Sequence, residues 1–435
     1  MKRHILAAFL AAACAASLFA GCGGSGDEDI IIKDSKPSAE VAAELRLFGY
    51  KTDTYNLLAI EKTFVSFLEK YSSLNVIYES TKESEYYPAL ERRRATGNLS
   101  DAFMLNSEIY HTMKSQNKLA DISSSFDVNA FAPDVKEQIK EAGGKVFFIP
   151  CSVSSYNLYV NYDLLARENI TVPENLTQFA AACSHFVSKG VTPVVIDSYY
   201  SLSSLIEVKG LYSVYQGNDT GEKIASFNDN PSLLYDYLSC GVDLVSQMVD
   251  GKWVSRTEGL VTKNAQSEID LFVKGGRPFM IASGQNSRKV KEAFSAENPR
   301  FNYGMLAYPV LDDGAALAID LDTCIAVNPD GENTQRTKDL ISFMAEPSAL
   351  YDYSESQSSF SPLADCPKPS DRALAPSYDY YVSGKTVVLS DYRLEVKDFD
   401  EIVYECGNML LCGESKEAVK NYLKAELVKA GGSKI

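Results

Sequence analysis

The chain is poor in the residues from which catalytic and metal sites are commonly built. It has one tryptophan and three histidines among 435 residues, and no Cys/His cluster has the spacing of a zinc site. A Ser-His-Asp order, a Gly-x-Ser-x-Gly motif and a phosphate-binding glycine loop are also missing. We therefore predict no catalytic residues, no bound metal and no cofactor.

Positive charge is scarce as well. The 42 basic residues stand against 58 acidic ones, a formal net charge of −16. Nucleic acid and anionic lipid both need a basic surface, so neither is an expected partner. An exported glycan-active enzyme remains an alternative, because glycosidases use two carboxylates and pairs such as Asp312-Asp313 occur. With so many acidic residues, however, such pairs arise by chance.

Apolar runs long enough to span a membrane are absent, but the N-terminus carries a shorter one. Lys2 and Arg3 precede the apolar residues 5–20, and Ala20-Gly21-Cys22 follows. About 20 residues are needed for a span, so this pattern indicates a signal peptide instead. We expect residues 1–21 to be cleaved, Cys22 to carry lipid and residues 22–43 to form a flexible tether. The alternative is a plain secretory signal with an incidental cysteine.

Paired cysteines are not expected to hold the fold together. Seven cysteines follow Cys22, an odd number that cannot all pair internally. Most lie among apolar residues, where a reduced cysteine packs like a small hydrophobic side chain. We interpret them mainly as free thiols and leave a Cys406–Cys412 bridge open.

The rest of the chain alternates helices with short β-rich runs, as in α/β proteins. Strands are predicted at residues 45–48, 74–78 and 101–105, and helices at about 56–71 and 86–95. Polar loops follow the first and third strands, where open α/β sheets bind ligands. About 390 residues are too many for one compact core, so two lobes are expected.

Several segments, in a fixed order, resemble a known family. The first three are Val146-Phe-Phe-Ile-Pro150, then Tyr156-Asn-Leu-Tyr-Val-Asn161-Tyr-Asp163-Leu-Leu, then Val172-Pro173-Glu-Asn175-Leu-Thr-Gln-Phe179. Similar steps continue at residues 272–281, 301–309, 338–350 and 411–419. The order is similar to that of family 1 extracellular solute-binding proteins, the maltodextrin-binding-like receptors of ABC importers. Leu176 departs from the family, which usually has Trp there.

The resemblance implies an α/β, two-lobe, type II periplasmic-binding-protein-like fold with a ligand cleft between lobes joined by hinge strands. Lobe 1 would comprise residues 44–150 and 311–350, and lobe 2 residues 151–310 and 351–435. The hinge crossings would be residues 149–151 and 308–311. Such lobes close around a ligand by hinge motion.

Candidate ligand-binding residues follow from their places in the family pattern. A sugar site combines an aromatic ring, for the C–H face, with polar side chains for the hydroxyls. The alternatives are a solvated turn for the polar residues and core packing for the aromatic ones. The candidates are Tyr50, Lys51, Asp53, Glu108, Tyr156, Tyr199, Tyr200, Trp253, Asn286 and Asp322.

Two positions in the family pattern bear on the substrate. Asn286 and Leu105 stand where the family often has an aromatic residue, so a maltodextrin-like site is not expected. The family positions also include no Arg, which disfavours an anionic ligand.

The predicted function is that of a lipoprotein on the outer face of the bacterial cytoplasmic membrane. It would capture a mono- or oligosaccharide and deliver it to the permease subunits of an ABC transporter, acting as a monomer. A ligand-sensing or adhesive lipoprotein of the same fold, and a receptor for another polar solute, remain alternatives.

Overall fold

The computed structural model describes residues 30–34, 41–197, 200–262 and 265–432, in which strands and helices alternate. Strand β2 and helix α1 begin the main body of the fold, and the α/β prediction is confirmed. The strands are β1 (Ile30–Asp34), β2 (Ala43–Gly49), β3 (Leu74–Ser80), β4 (Ala102–Leu105), β5 (Phe148–Asn161), β6 (Val194–Val195), β7 (Phe279–Ser283), β8 (Tyr303–Leu306), β9 (Leu317–Val327) and β10 (Thr386–Val388).

Helices alternate with the strands and are numbered here in chain order. They are α1 (Thr54–Lys70), α2 (Glu83–Ala95), α3 (Ser107–Ser115), α4 (Pro133–Ile139), α5 (Tyr162–Arg167), α6 (Leu176–Ser188), α7 (Tyr200–Tyr215), α8 (Thr220–Asp229), α9 (Leu234–Asp250), α10 (Arg256–Val261), α11 (Ala265–Phe272), α12 (Ser287–Ala293), α13 (Thr334–Met344), α14 (Pro347–Gln357), α15 (Ala375–Val382), α16 (Phe399–Cys412) and α17 (Lys416–Gly432).

Strands β5 and β9 are long and join two groups of shorter strands. They run antiparallel, with register from Phe148 opposite Ala326 to Tyr156 opposite Ala318. At one end β9 pairs with β4, which continues through β2 and β3 to β1. At the other end β5 pairs with β7 and β8, and β9 pairs with β10. We call these groups the β4 side and the β7 side.

The second strand that crosses between the two sides of the sheet is not the segment predicted from the sequence. Residues 308–311 were expected to cross, but Tyr308 is buried and forms a short bridge with Ala316, within a turn. Strand β9 follows that turn and pairs with both sides. Phe360 also exchanges two backbone hydrogen bonds with Val153, so a third segment passes the same place. The lobe boundaries themselves stay a prediction.

Two local expectations are corrected. Part of the expected flexible tether, Ile30–Asp34, forms β1 and pairs antiparallel with β3, because the β-branched isoleucines favour a strand. The segment 338–350, which resembles a single late helix of the family, contributes to two helices, since Pro347 lacks the N–H that an unbroken helix requires and instead starts α14. The predicted signal peptide and Cys22 lie outside the described residues.

Two hydrophobic clusters form the core. One packs Phe64 and Phe67 of α1 with Phe103 of β4, and the other packs Phe179 of α6 with Leu238 of α9. Seven cysteines of the described residues carry free thiols. Within the described part of the chain, no helix is both long and apolar enough to cross a bilayer.

Candidate functional site

A cleft of about 1020 Å³ lies where the two sides of the sheet meet. Ser154 and Tyr156 of β5 and Asp320 and Asp322 of β9 line it. Loops after β2 and β4 contribute from the β4 side. Helices α7 and α11 and residues 389–404 also line it. The cleft therefore draws side chains from distant parts of the sequence onto the two crossing strands.

The loop after β2 is held in place by the tyrosine of β3. The Tyr78 hydroxyl lies 3.0 Å from both the N–H and the carbonyl oxygen of Lys51, accepting from the first and donating to the second. Gly49 permits this approach, because a Cβ there would lie 2.6 Å from the Tyr78 hydroxyl oxygen. Asp53 then caps α1 by accepting the N–H of Tyr55 at 3.1 Å. Tyr50, Lys51 and Asp53 are thus fixed at the cleft.

Lys51 makes an ion pair with Asp322, and both residues line the cleft. The Lys51 Nζ lies 2.6 Å from Asp322 Oδ1, and Gln285 Nε2 donates to Asp322 Oδ2 at 2.7 Å. Burial alone would raise the pKa of Asp322, but the charge and hydrogen bond of Lys51 outweigh it and lower that pKa. The pair ties a loop of the β4 side to the crossing strand β9. The negative charge of Asp322 balances the positive charge of Lys51.

Two tyrosines offer aromatic faces within the cleft. The rings of Tyr156 and Tyr200 lie 5.6 Å apart between centroids and are tilted by 34°. Tyr200 is 45% exposed, unusual for so large an aromatic residue, whereas Tyr156 is half-buried against the core. An exposed ring at the start of α7 can stack against the apolar face of a ligand.

The β7 side contributes carboxyl groups that are buried. Glu207 of α7 is 5% exposed and Glu268 of α11 is 2% exposed, and both line the cleft. Burial, followed by the charges of Asp400 and Asp320, raises the pKa of Glu207 well above its usual range. Burial, followed by the charge and hydrogen bond of Asp197, raises the pKa of Glu268 to about 10. Near neutral pH the Glu268 carboxyl group therefore holds its proton in the empty cleft.

The structure places most of the predicted site residues around this cleft. Helix α3, capped by Asn106, carries Glu108 there in its first turn. Tyr199 lies outside the described residues. The predicted residues that line the cleft are Tyr50, Lys51, Asp53, Glu108, Tyr156, Tyr200, Asn286 and Asp322.

Trp253 lies elsewhere. It is 4% exposed and packs edge-on against Phe179, with the ring centroids 5.8 Å apart. Its backbone carbonyl accepts the N–H of Val194, so this segment supports β6 instead of facing the cleft. Burial of a large apolar ring in this core is more favourable than its exposure at the cleft. Trp253 is therefore not part of the proposed site.

Sequence reasoning missed other lining residues. Glu207 interrupts the apolar run Leu205-Ile206-Glu207-Val208, and a lone acidic residue in a buried helix was a usable signal. Asp391 and Asp400 gave no such signal, because only the folded chain brings residues 389–404 to the cleft.

Solved structures of similar fold come from several bacteria. RafE from Streptococcus pneumoniae, in its apo form, has a TM-score of 0.70 at 16% identity, covering 92% of this chain and 100% of its own. The sugar-binding protein MalE from Xanthomonas citri has a TM-score of 0.69 at 13% identity, covering 89% and 97%. An ABC substrate-binding protein from Listeria monocytogenes, in complex with cycloalternan, has a TM-score of 0.66 at 16% identity, covering 90% and 99%. At these identities the likeness establishes the two-lobe fold.

The family assignment comes from the sequence itself. No curated protein matches the chain. The family model described as bacterial extracellular solute-binding protein matches residues 62–376, which is well over half of the chain. The same residues contain most of the segments in which the resemblance was found. The chain therefore belongs to the family of bacterial extracellular solute-binding proteins.

Proposed function

We propose that this chain captures a carbohydrate, a mono- or oligosaccharide, in the cleft and delivers it to an ABC transporter permease. The observation that carries the proposal is the meeting of an exposed aromatic ring with hydrogen-bonding side chains from both sides of the cleft. Tyr200 supplies the ring, while Asp53 and Asn286 supply acceptors and donors. This combination suits the C–H face and the hydroxyl rim of a sugar.

Capture proceeds by closure of the lobes about the crossing strands. Ligand contacts made from both sides exist together only in the closed form, so binding shifts the population towards it. Strands β5 and β9 and the segment at Phe360 provide the connections about which the lobes rotate. The closed form presents a surface from both lobes to the permease.

The setting of the protein belongs to the same proposal. The chain is exported, anchored through lipid on Cys22 to the outer face of the cytoplasmic membrane, and works as a monomer. It binds its solute without transforming it. The basic start, short apolar run and Ala20-Gly21-Cys22 support the export and the anchor.

Thermal unfolding with a sugar panel tests the proposal. The soluble form, residues 27–435, is heated with raffinose, stachyose, cycloalternan, maltodextrins and xylo-oligosaccharides. A ligand at about 100 times its Kd adds roughly 2.7 kcal/mol to the free energy of unfolding, which raises the Tm by about 2–4 °C.

Variants then locate the site. Tyr200→Ala should abolish the shift, whereas Tyr351→Ala, on α14 outside the cleft, should keep it. If no sugar of any kind shifts the Tm of folded protein that has been freed of carried-over ligand, the carbohydrate proposal fails.

A further inference from the structure

The cleft is strongly acidic. Among the described residues that line it there are thirteen carboxyl side chains, three lysines and no arginine. Lys51, one of the three lysines, is already paired with Asp322. Acidic side chains facing the cleft therefore greatly outnumber basic ones.

One of these carboxyl groups is buried without a partner. Glu207 is 5% exposed and lines the cleft, and neither a hydrogen bond nor a cation of the described residues acts on its carboxyl group. A buried carboxyl group that lacks a partner is costly, so natural proteins rarely keep one. Its neighbours Asp320 and Asp400 lie near enough for their charges to act on it, and both are acidic.

A second buried carboxyl group repeats the observation. Glu268 is 2% exposed, and its Oε2 atom has no hydrogen-bond partner in the described part of the chain. Its other interaction is with a further acid, Asp197. Two buried acids on separate helices, α7 and α11, thus line the same cleft with hydrogen-bonding capacity unused.

The carboxyl groups are spread along the cleft. They come from both crossing and flanking elements, and no three acidic, histidine or cysteine side chains of the described residues lie close enough together to hold a metal ion. A neutral hydroxyl group would satisfy the hydrogen bonds of Glu207 but would leave the surrounding negative charge unbalanced. An ammonium group does both, because it donates up to three hydrogen bonds and carries the opposite charge.

We propose that the ligand carries an ammonium group, and that it is an amino sugar or an oligosaccharide that contains one. Glu207, with Asp320 and Asp400 beside it, receives the ammonium, while Tyr200 stacks on the ring. This inference rests on the proposed function and narrows its substrate class.

Matched sugars that differ at one substituent test the inference. Calorimetric titration at about pH 6.5 compares glucosamine, N-acetylglucosamine and glucose. It is repeated with their β-1,4-linked dimers to tetramers and with the galactose counterparts of the monosaccharides. At that pH an amine with a pKa of about 7.7 is mostly protonated. The amino member of at least one set should bind at least about tenfold more tightly than its acetylated and hydroxyl counterparts.

Charge-removing variants supply the second arm. Glu207→Gln should weaken binding of the amino sugar by about 10- to 100-fold, because a charge-assisted hydrogen bond is lost. Glu222→Gln, an exposed position on α8 outside the cleft, should leave the affinity unchanged. Gln fills the same space as the protonated acid, so the variant is expected to fold.

The outcomes separate the two proposals. If neutral sugars bind as tightly as the amino sugars, or more tightly, the carbohydrate receptor stands and the ammonium inference is overturned. Spermidine, an ammonium compound without a sugar ring, is titrated in the same way. If it binds and no sugar does, the ammonium inference holds for a different ligand class and the carbohydrate proposal fails. If Glu207→Gln binds the amino sugar like the parent protein, the assignment of Glu207 is overturned.

Discussion

At the scale of single residues, the Lys51–Asp322 pair decides how the loop after β2 meets the crossing strand. Both side chains are mostly buried, at 12% and 13% exposed, and their charged atoms are 2.6 Å apart. Removing one partner of such a pair leaves the other charge buried and unmatched. A substitution that removes one charge of this pair should therefore lower the free energy of unfolding substantially.

We expect Asp322→Asn to lower the free energy of unfolding by about 3 kcal/mol, at the lower end of the range for a broken buried pair. Urea unfolding followed by circular dichroism measures this. The control is Asp352→Asn, which breaks the exposed Lys62–Asp352 pair and should cost much less. Equal losses in the two variants would contradict the role given to Lys51 and Asp322.

The raised pKa of Glu268 predicts a dependence of stability on pH. Burial and Asp197 raise its pKa to about 10 in the folded protein, whereas the unfolded value is about 4.3. The folded state then binds the extra proton between these values, so the contribution of Glu268 to stability is full below about pH 4.3 and is lost as the pH rises towards 10.

Glu268→Gln removes this titration. Relative to the parent protein, the variant should gain stability steadily from about pH 5 to about pH 9, as measured by urea unfolding at several pH values. Glu222→Gln, whose side chain is exposed, should show a constant difference. A constant difference for Glu268→Gln as well would mean that its carboxyl group is not protonated in the fold.

At the scale of elements, the packing at the end of β2 requires glycine at position 49. Gly49 lies against Tyr78 and Met104, and a Cβ there would come within 2.6 Å of the hydroxyl oxygen of one and the sulfur of the other. Gly49→Ala should therefore cost about 1–3 kcal/mol, as other overpacked sites do, and should weaken ligand binding by displacing Tyr50 and Lys51. Gly276→Ala, where the added Cβ meets open space, is the matched control. Denaturation and ligand titration of both variants measure the two effects, and unchanged binding in Gly49→Ala would show that the loop position does not matter.

The elements near the N-terminus could be predicted closely from the sequence, because short-range signals define them. The predicted strands at 45–48, 74–78 and 101–105 lie within β2, β3 and β4 or overlap them to within one residue. The loops after β2 and β4 do face the cleft, since strand ends meet at one edge of the sheet. By contrast, the sequence allows Trp253 to be a stacking platform or, more commonly for a lone Trp, a core residue, and its packing with Phe179 decides. Asp400 reaches the cleft through contacts between residues far apart in the chain, which local patterns do not record.

At the scale of the whole molecule, the proposed anchor depends on one cysteine. Cys22→Ser should prevent lipid attachment and release the protein from the membrane fraction into the soluble fraction of a bacterial host that processes lipoproteins. Cys14→Ser, which changes a cysteine ahead of the expected cleavage site, should leave the protein in the membrane fraction. Fractionation and mass measurement of the mature N-terminus check both, and a Cys22→Ser protein that stays with the membrane would argue against the lipid anchor.

If Cys22 carries the proposed lipid, strand β1 shortens the tether between the membrane and the body of the protein. Because Ile30–Asp34 is paired with β3, eight residue steps separate Cys22 from the body of the protein, a reach of at most about 28 Å. A receptor anchored by so short a tether would stay in a thin layer above the bilayer and would meet its permease by lateral diffusion in two dimensions. Short linkers of this kind give effective concentrations in the mM range for partners within reach. Weak contacts with the permease would then suffice for transfer, and each receptor could serve several permeases in turn.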